Sequence, residues 1–200
     1  MISFKHKKVI VFDLDGTIVK LAVDWQELKR ILSERYSKIY SDGCDFKRIS
    51  VCLSQIVKRN DYEELDRFFN IIREHETKNI VNNKPIEETL FFINNLDLFD
   101  ISNDVNLAIF SLNTKEAIEI SLKQIKIYKK FDYIVGREDV MKWKPNPEGL
   151  YLIKEHFKCN RDQMVYIGDL QKDLETGANA GIESHLVDEL IELVNSRINK

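Results

Sequence analysis

The stretch Val9-Ile10-Val11-Phe12-Asp13-Leu14-Asp15-Gly16-Thr17 decides the fold. It opens with a continuous apolar run of β-formers, which fits a strand covered on both faces, as in a parallel sheet. Two carboxylates follow at i and i+2. On an extended backbone such side chains point the same way, so Asp13 and Asp15 converge beyond the strand's C-terminal end. Open α/β sheets bind their ligands at that end. Two close carboxylates repel, and a cation or a proton is needed between them. Taken alone, the segment also reads as a hairpin, because Asp15-Gly16 between apolar runs is a strong turn signal.

Four further strand candidates lie downstream, at 107–110, 133–135, 164–167 and 185–187. Helical patterns separate them. Pro85 is expected to open one helix, with Ile86, Leu90, Ile93 and Leu96 along a face. Asn113 followed by Glu116 predicts a capping box, with Ile118, Leu122 and Ile125 sharing a stripe. Asn146-Pro147 opens the next helix, through Leu150, Ile153 and Phe157, and a further one near Asp173 to Ala180 ends at Gly181. Strand alternating with helix predicts an α/β fold, a Rossmann-like parallel sheet with helices on both faces.

Residues 20–82 interrupt this rhythm with three helical patterns. Asp24 and Glu27 cap the first, with Trp25, Leu28, Leu32 and Ile39 inward. The second carries Phe46, Ile49, Leu53 and Ile56; the third, capped by Asp61 and Glu64, carries Leu65, Phe68, Phe69 and Ile72. A strand-to-strand crossover normally needs one helix. The reading is therefore a helical insert at 20–82 within an α/β core made of 1–19 and 83–200.

Composition narrows the function classes. The chain has 200 residues, 44% apolar and 32% charged, the balance of a soluble globular protein. A net charge of −3 gives no pull toward nucleic acid. No apolar run reaches the roughly 18 residues of a membrane span. The basic N-terminus is followed by an apolar stretch that Asp13 and Asp15 break too soon for a signal peptide. Cys44, Cys52 and Cys159 lack metal-site spacing and are expected as buried, reduced thiols of a cytoplasmic protein.

Three more positions could carry chemistry. Ser111 ends the second core strand and offers a hydroxyl donor to a phosphate oxygen. Lys144, in Lys142-Trp143-Lys144-Pro145-Asn146-Pro147, places an ammonium on a loop that its prolines stiffen. Gly168-Asp169 follows the fourth strand, with Asp173 about one helical turn on; clustered carboxylate oxygens suit a hard cation such as Mg²⁺. Each has a plainer alternative: a serine ending a strand, a solvated lysine, a helix cap with a first-turn acid. Together they fall at one rim of the predicted sheet. Carboxylates, a hydroxyl and an ammonium gathered there suit phosphoryl transfer.

In this order, Phe12-Asp13-Leu14-Asp15-Gly16-Thr17, Ser111, Lys144-Pro145-Asn146-Pro147-Glu148 and Gly168-Asp169 with Asp173 resemble the four motifs of the haloacid dehalogenase superfamily. The resemblance covers nearly the whole chain and is greatest to phosphoglycolate-phosphatase-like members, which carry a helical cap between the first two motifs. It implies a core strand order 3-2-1-4-5. It also implies that Asp13 attacks phosphorus to give an aspartyl-phosphate, while Asp15 protonates the leaving oxygen and then activates water. Ser111 and Lys144 would hold the phosphoryl oxygens, with Asn113 and Thr17 as further phosphate-binding residues. Asp13, the backbone carbonyl of Asp15 and Asp169 would bind Mg²⁺, and Asp173 would orient the metal shell or Lys144. True dehalogenases lack an acid at the position of Asp15, and P-type ATPases have Lys-Thr-Gly-Thr after their aspartate.

Two departures stand out. Leu112 separates Ser111 from Asn113, and the segment at 19–25 lacks the Asp-Ser pair many relatives have there. The expectation is a Mg²⁺-dependent phosphomonoester hydrolase acting on a small soluble phosphorylated metabolite, as a monomer or homodimer, with neither nucleic acid nor membrane as a partner. The alternatives are a sugar phosphomutase using the same intermediate and a non-catalytic phosphate-binding regulatory module. The presence of Asp13 and Asp169 weighs against the module.

Overall fold

The structure is a computed structural model that describes residues 2–102 and 104–198. In chain order the elements are β1 (Val9–Phe12), β2 (Val19–Lys20), α1 (Trp25–Ile39), α2 (Ile49–Lys58), α3 (Tyr62–Lys78) and β3 (Lys84–Pro85). Then come α4 (Glu87–Asn94), β4 (Asn106–Phe110), α5 (Lys115–Gln124), β5 (Tyr133–Val135) and α6 (Glu148–Phe157). The chain closes with β6 (Met164–Gly168), α7 (Gln171–Ala180), β7 (Glu183–Leu186) and α8 (Val187–Ile198).

Five strands form one parallel sheet in the order β5-β4-β1-β6-β7. Counting only these five along the chain, the order is 3-2-1-4-5. β1 is central, paired in parallel with β4 and β6, so the hairpin alternative is excluded. All four of its residues are buried. Alternate residues feed two cores, as the two-residue period of a strand requires. Val9 and Val11 face Leu150 and Ile153 of α6, while Ile10 and Phe12 face the layer of α4, α5 and α8.

Helices α1, α2 and α3 lie between β2 and β3, which pair antiparallel through Val19 with Pro85 and Lys20 with Lys84. Asp24 and Asp61 cap α1 and α3 by accepting from the amides of Glu27 and Glu64. Phe46 and Phe68 stack at 5.5 Å between ring centres inside the three-helix group. That interior continues into one sheet face: Phe69 of α3 meets Trp143 edge to face at 6.2 Å.

Several expectations need correction. Pro85 does not open a helix; it lies in β3, and α4 starts at Glu87, burying Thr89, Phe92 and Ile93. Asn113 forms no capping box, because the residue flanking α5 is Thr114 and the Asn113 side chain is engaged elsewhere. Ile39 is 42% exposed, and Tyr36, in register with Leu28 and Leu32 at four-residue spacing, takes the inward place. The last core strand runs over 183–186 rather than 185–187; it is an edge strand whose polar start carries no apolar signal. Cys44 and Cys52 are not reduced thiols but form a disulfide with Cα atoms 5.9 Å apart. Phe46, at φ 51°, turns the chain so that the segment before α2 folds back on it. Cys159 is the free, buried cysteine. Among the described residues, no helix is long and apolar enough to cross a membrane.

Candidate active site

The C-terminal ends of β1, β4 and β6 open into a cavity of about 410 Å³ roofed by α1 and the start of α2. Asp13, Asp15, Ser111, Asn113, Lys144, Asp169 and Asp173 all line it. Thr17 does not: it is fully buried, its hydroxyl finds no hydrogen-bond partner, and it lies outside the cavity wall.

Lys144 is the hub. Its ammonium, on a side chain almost without solvent exposure, sits 3.1 Å from Asp13 Oδ1 and 2.9 Å from Asp173 Oδ1. Phe110 and Tyr166 flank it, their ring centres 4.9 and 5.2 Å away. The Tyr166 hydroxyl donates to Asp173 Oδ1 at 2.8 Å, and the Leu170 amide donates to Asp173 Oδ2 at 3.1 Å. Burial works against the charge on Lys144, but Asp13 and Asp173 overcome it and hold the lysine above its ordinary range. Asp173 keeps its carboxylate below its usual range: burial opposes, and the ammonium and two hydrogen bonds prevail.

The other carboxylates go the opposite way. Burial raises Asp13, and its contact with Lys144 is an ion pair without a directed hydrogen bond to Oδ1. Burial, then the neighbouring Asp13, pushes Asp169 up to about 7. Burial pushes Asp15 up to about 6, against the hydrogen bond its Oδ1 accepts from the Leu21 amide at 2.9 Å. The common cause is negative charge confined in a low-dielectric pocket.

Glycines permit this crowding. Gly16 has φ 79°, and a Cβ there would lie 2.2 Å from Asp169 Oδ2. At Gly168 a Cβ would lie 2.5 Å from Asp173 Cγ.

Residues able to hold a metal are present. Carboxylate oxygens of Asp13, Asp169 and Asp173 all lie within 4.8 Å of one another. Asp169 Oδ1 is buried with no hydrogen-bond partner. An orphaned buried carboxylate oxygen in an all-oxygen acidic cluster fits a hard divalent cation. Asp173 joins this set although sequence placed it outside the ligands; it already serves Lys144, Tyr166 and the Leu170 amide.

The motif around Ser111 has an anchor that sequence reasoning missed. The Ser111 hydroxyl donates to Asn113 Oδ1 at 2.8 Å, and Asn113 Nδ2 donates to Glu76 Oε1 at 2.9 Å. Glu76 Oε2 also accepts from the Thr114 amide at 2.8 Å and the Thr114 hydroxyl at 2.7 Å. Glu76 belongs to α3, so α3 is tied to the start of α5 beside the site. Its position four residues after Ile72, on the apolar stripe, was the available signal. Arg137, just after β5, was also missed; it too follows the C-terminal end of a core strand.

Comparison with known proteins identifies the family. A model of the haloacid dehalogenase-like hydrolase family matches residues 10–187. The chain belongs to this family. Among curated relatives it is 27% identical to a phosphoglycolate phosphatase of Aquifex aeolicus, over 90% of this chain and 84% of that one. It is 25% identical to the pyrophosphatase PpaX of Halalkalibacterium halodurans, over 89% and 82% of the two chains. A solved haloacid dehalogenase-like hydrolase from Bacteroides fragilis superposes with TM-score 0.66 at 26% identity, covering 89% of this chain and 86% of that one. The family and the curated relatives together make the enzyme a phosphatase.

Proposed function

We propose that this hydrolase cleaves small phosphomonoesters through a covalent phosphoryl-aspartate on Asp13, with Mg²⁺ as its cofactor. One observation carries the reading. A buried ammonium is held between Asp13 and Asp173, beside Asp169 with its unpartnered oxygen, at the floor of a small cavity. The donor set fits Mg²⁺, held by Asp13 and Asp169 with the Asp15 carbonyl as a further oxygen. The ion would supply positive charge against the phosphoryl group.

Asp13 then attacks phosphorus, the ester P–O bond breaks, and Asp15 gives its proton to the departing oxygen. In the second half Asp15 takes a proton from water, which attacks phosphorus and frees Asp13 and inorganic phosphate. Lys144 steadies the phosphoryl oxygens, and the Ser111 hydroxyl joins it by turning its one proton from Asn113 Oδ1 to the phosphate. Helices α1 to α3 act as a cap that limits water and substrate size, with β2 and β3 at its hinge.

Two measurements test this. Chelation with EDTA should stop phosphate release from p-nitrophenyl phosphate, and added Mg²⁺ should restore it and raise the thermal midpoint. Full activity in chelator would remove the metal from the reading. Asp15→Asn should slow hydrolysis of alkyl phosphates by roughly 10²–10⁴-fold, the usual worth of a general acid. The loss on p-nitrophenyl phosphate, whose leaving group departs without a proton, should be clearly smaller. Equal losses in kcat/KM, which reports the step in which the leaving group departs and not the hydrolysis common to both esters, would deny Asp15 the acid role.

A further inference from the structure

The cations around the cavity outnumber what the reacting phosphoryl group needs. Lys144 is occupied by Asp13 and Asp173. Arg137 and Lys172 of the core and Lys29, Lys47 and Arg48 of the cap also line the wall. The carboxylates of the wall all belong to the core; the cap contributes none. Lys47 pairs with the exposed Asp45 at 3.3 Å, whereas Lys29 and Arg48 have no carboxylate within 4 Å among the described residues. Exposed lysines alone would be an ordinary solvated surface.

Arg137 makes the difference. It is only 3% exposed, lines the cavity, and its Nε and Nη1 have no hydrogen-bond partner. Glu76, which faces it electrostatically, spends its oxygens on Asn113 and Thr114. A buried guanidinium with free donors is costly unless something arrives to accept from it. Its planar fork matches a carboxylate or a phosphate.

We infer that Arg137, with Arg48 on the wall of the same cavity, forms a subsite for a second oxyanion carried on the leaving portion of the substrate. The preferred substrate class is then a phosphate ester or anhydride that retains a carboxylate or a second phosphate after cleavage. This rests on the phosphatase reading above. The anion is bound before and after P–O cleavage, so the subsite acts chiefly on affinity.

The test compares three probes by steady-state phosphate release in Mg²⁺: 2-phosphoglycolate with its carboxylate, inorganic pyrophosphate with its second phosphate, and p-nitrophenyl phosphate with neither. Arg48→Gln and Arg137→Gln should each lower the kcat/KM ratio of the better second-anion probe to p-nitrophenyl phosphate by roughly ten- to a hundredfold, mainly through KM, as loss of a charge-assisted hydrogen bond predicts. Arg137→Lys should recover part of that loss. Which probe responds separates a carboxylate from a phosphate. A ratio unchanged in Arg48→Gln overturns the subsite, and this exposed position decides the matter even if Arg137→Gln fails to fold. Wild-type enzyme active on p-nitrophenyl phosphate but on neither second-anion probe overturns it too, leaving the phosphatase reading intact. Inactivity on all three probes counts against that reading instead.

Discussion

Asp13→Asn should abolish turnover, by at least about 10⁴-fold, because an amide nitrogen or oxygen cannot replace the attacking carboxylate. The same substitution should leave the fold intact. Asp13, Asp169 and Asp173 crowd their oxygens within 4.8 Å, with one ammonium among them. Burial holds Asp13 and Asp169 above their ordinary range, and the neighbouring carboxylates add to that: Asp173 acts on Asp13, and Asp13 and Asp173 act on Asp169. Removing one charge relieves repulsion, while Lys144 keeps Asp173 as a partner. The thermal midpoint in chelator should therefore stay level or rise, the pattern of a site that trades stability for function. Phosphate release and a melting curve on one sample check both halves. Near-normal release would reject Asp13 as nucleophile, and loss of activity through unfolding would reject the charge argument.

The parts legible in sequence are those whose signal is local. β1 could be read because both of its faces are covered, so every residue is apolar. Asp13, Ser111 and Asp169 could be placed because each follows such a run, and parallel strands deliver their ends to one rim. Asp24 and Asp61 announced α1 and α3 by the spacing of a cap.

What escaped depends on partners distant in the chain. Asn113 carries a local capping signature, yet its amide is drawn to Glu76, 37 residues away, because that buried carboxylate needs donors and itself accepts from the Thr114 amide at the buried start of α5. Arg137 looked like one charge in a polar loop, and nothing local says that the loop is covered. Cys44 and Cys52 were missed because spacing carries no distance: only the turn at Phe46 brings their Cα atoms to 5.9 Å. β7 was shifted because an edge strand tolerates Glu183 and Ser184 at its start.

Lys144→Met should do the reverse of Asp13→Asn in stability while also removing activity. The side chain is nearly isosteric and apolar, so the space between Phe110 and Tyr166 stays filled. What disappears is the one cation among three crowded carboxylates. Breaking a buried pair from one side typically costs about 3–5 kcal/mol, since the remaining charges are left uncompensated. Urea denaturation in chelator should show a loss of that size. Mg²⁺ should recover part of it, because a bound cation neutralises the same oxygens. Activity should not return with the metal. The transferring phosphoryl group loses its fixed positive partner, a preorganised contribution worth roughly 10²–10³-fold. Lys144→Arg should also fall short, since a broad planar guanidinium replaces a compact charge seated between two carboxylates and two rings. A methionine variant as stable as the wild type in chelator would mean that the carboxylates are not in excess. The charge balance that makes this rim a metal and phosphate site would then be absent.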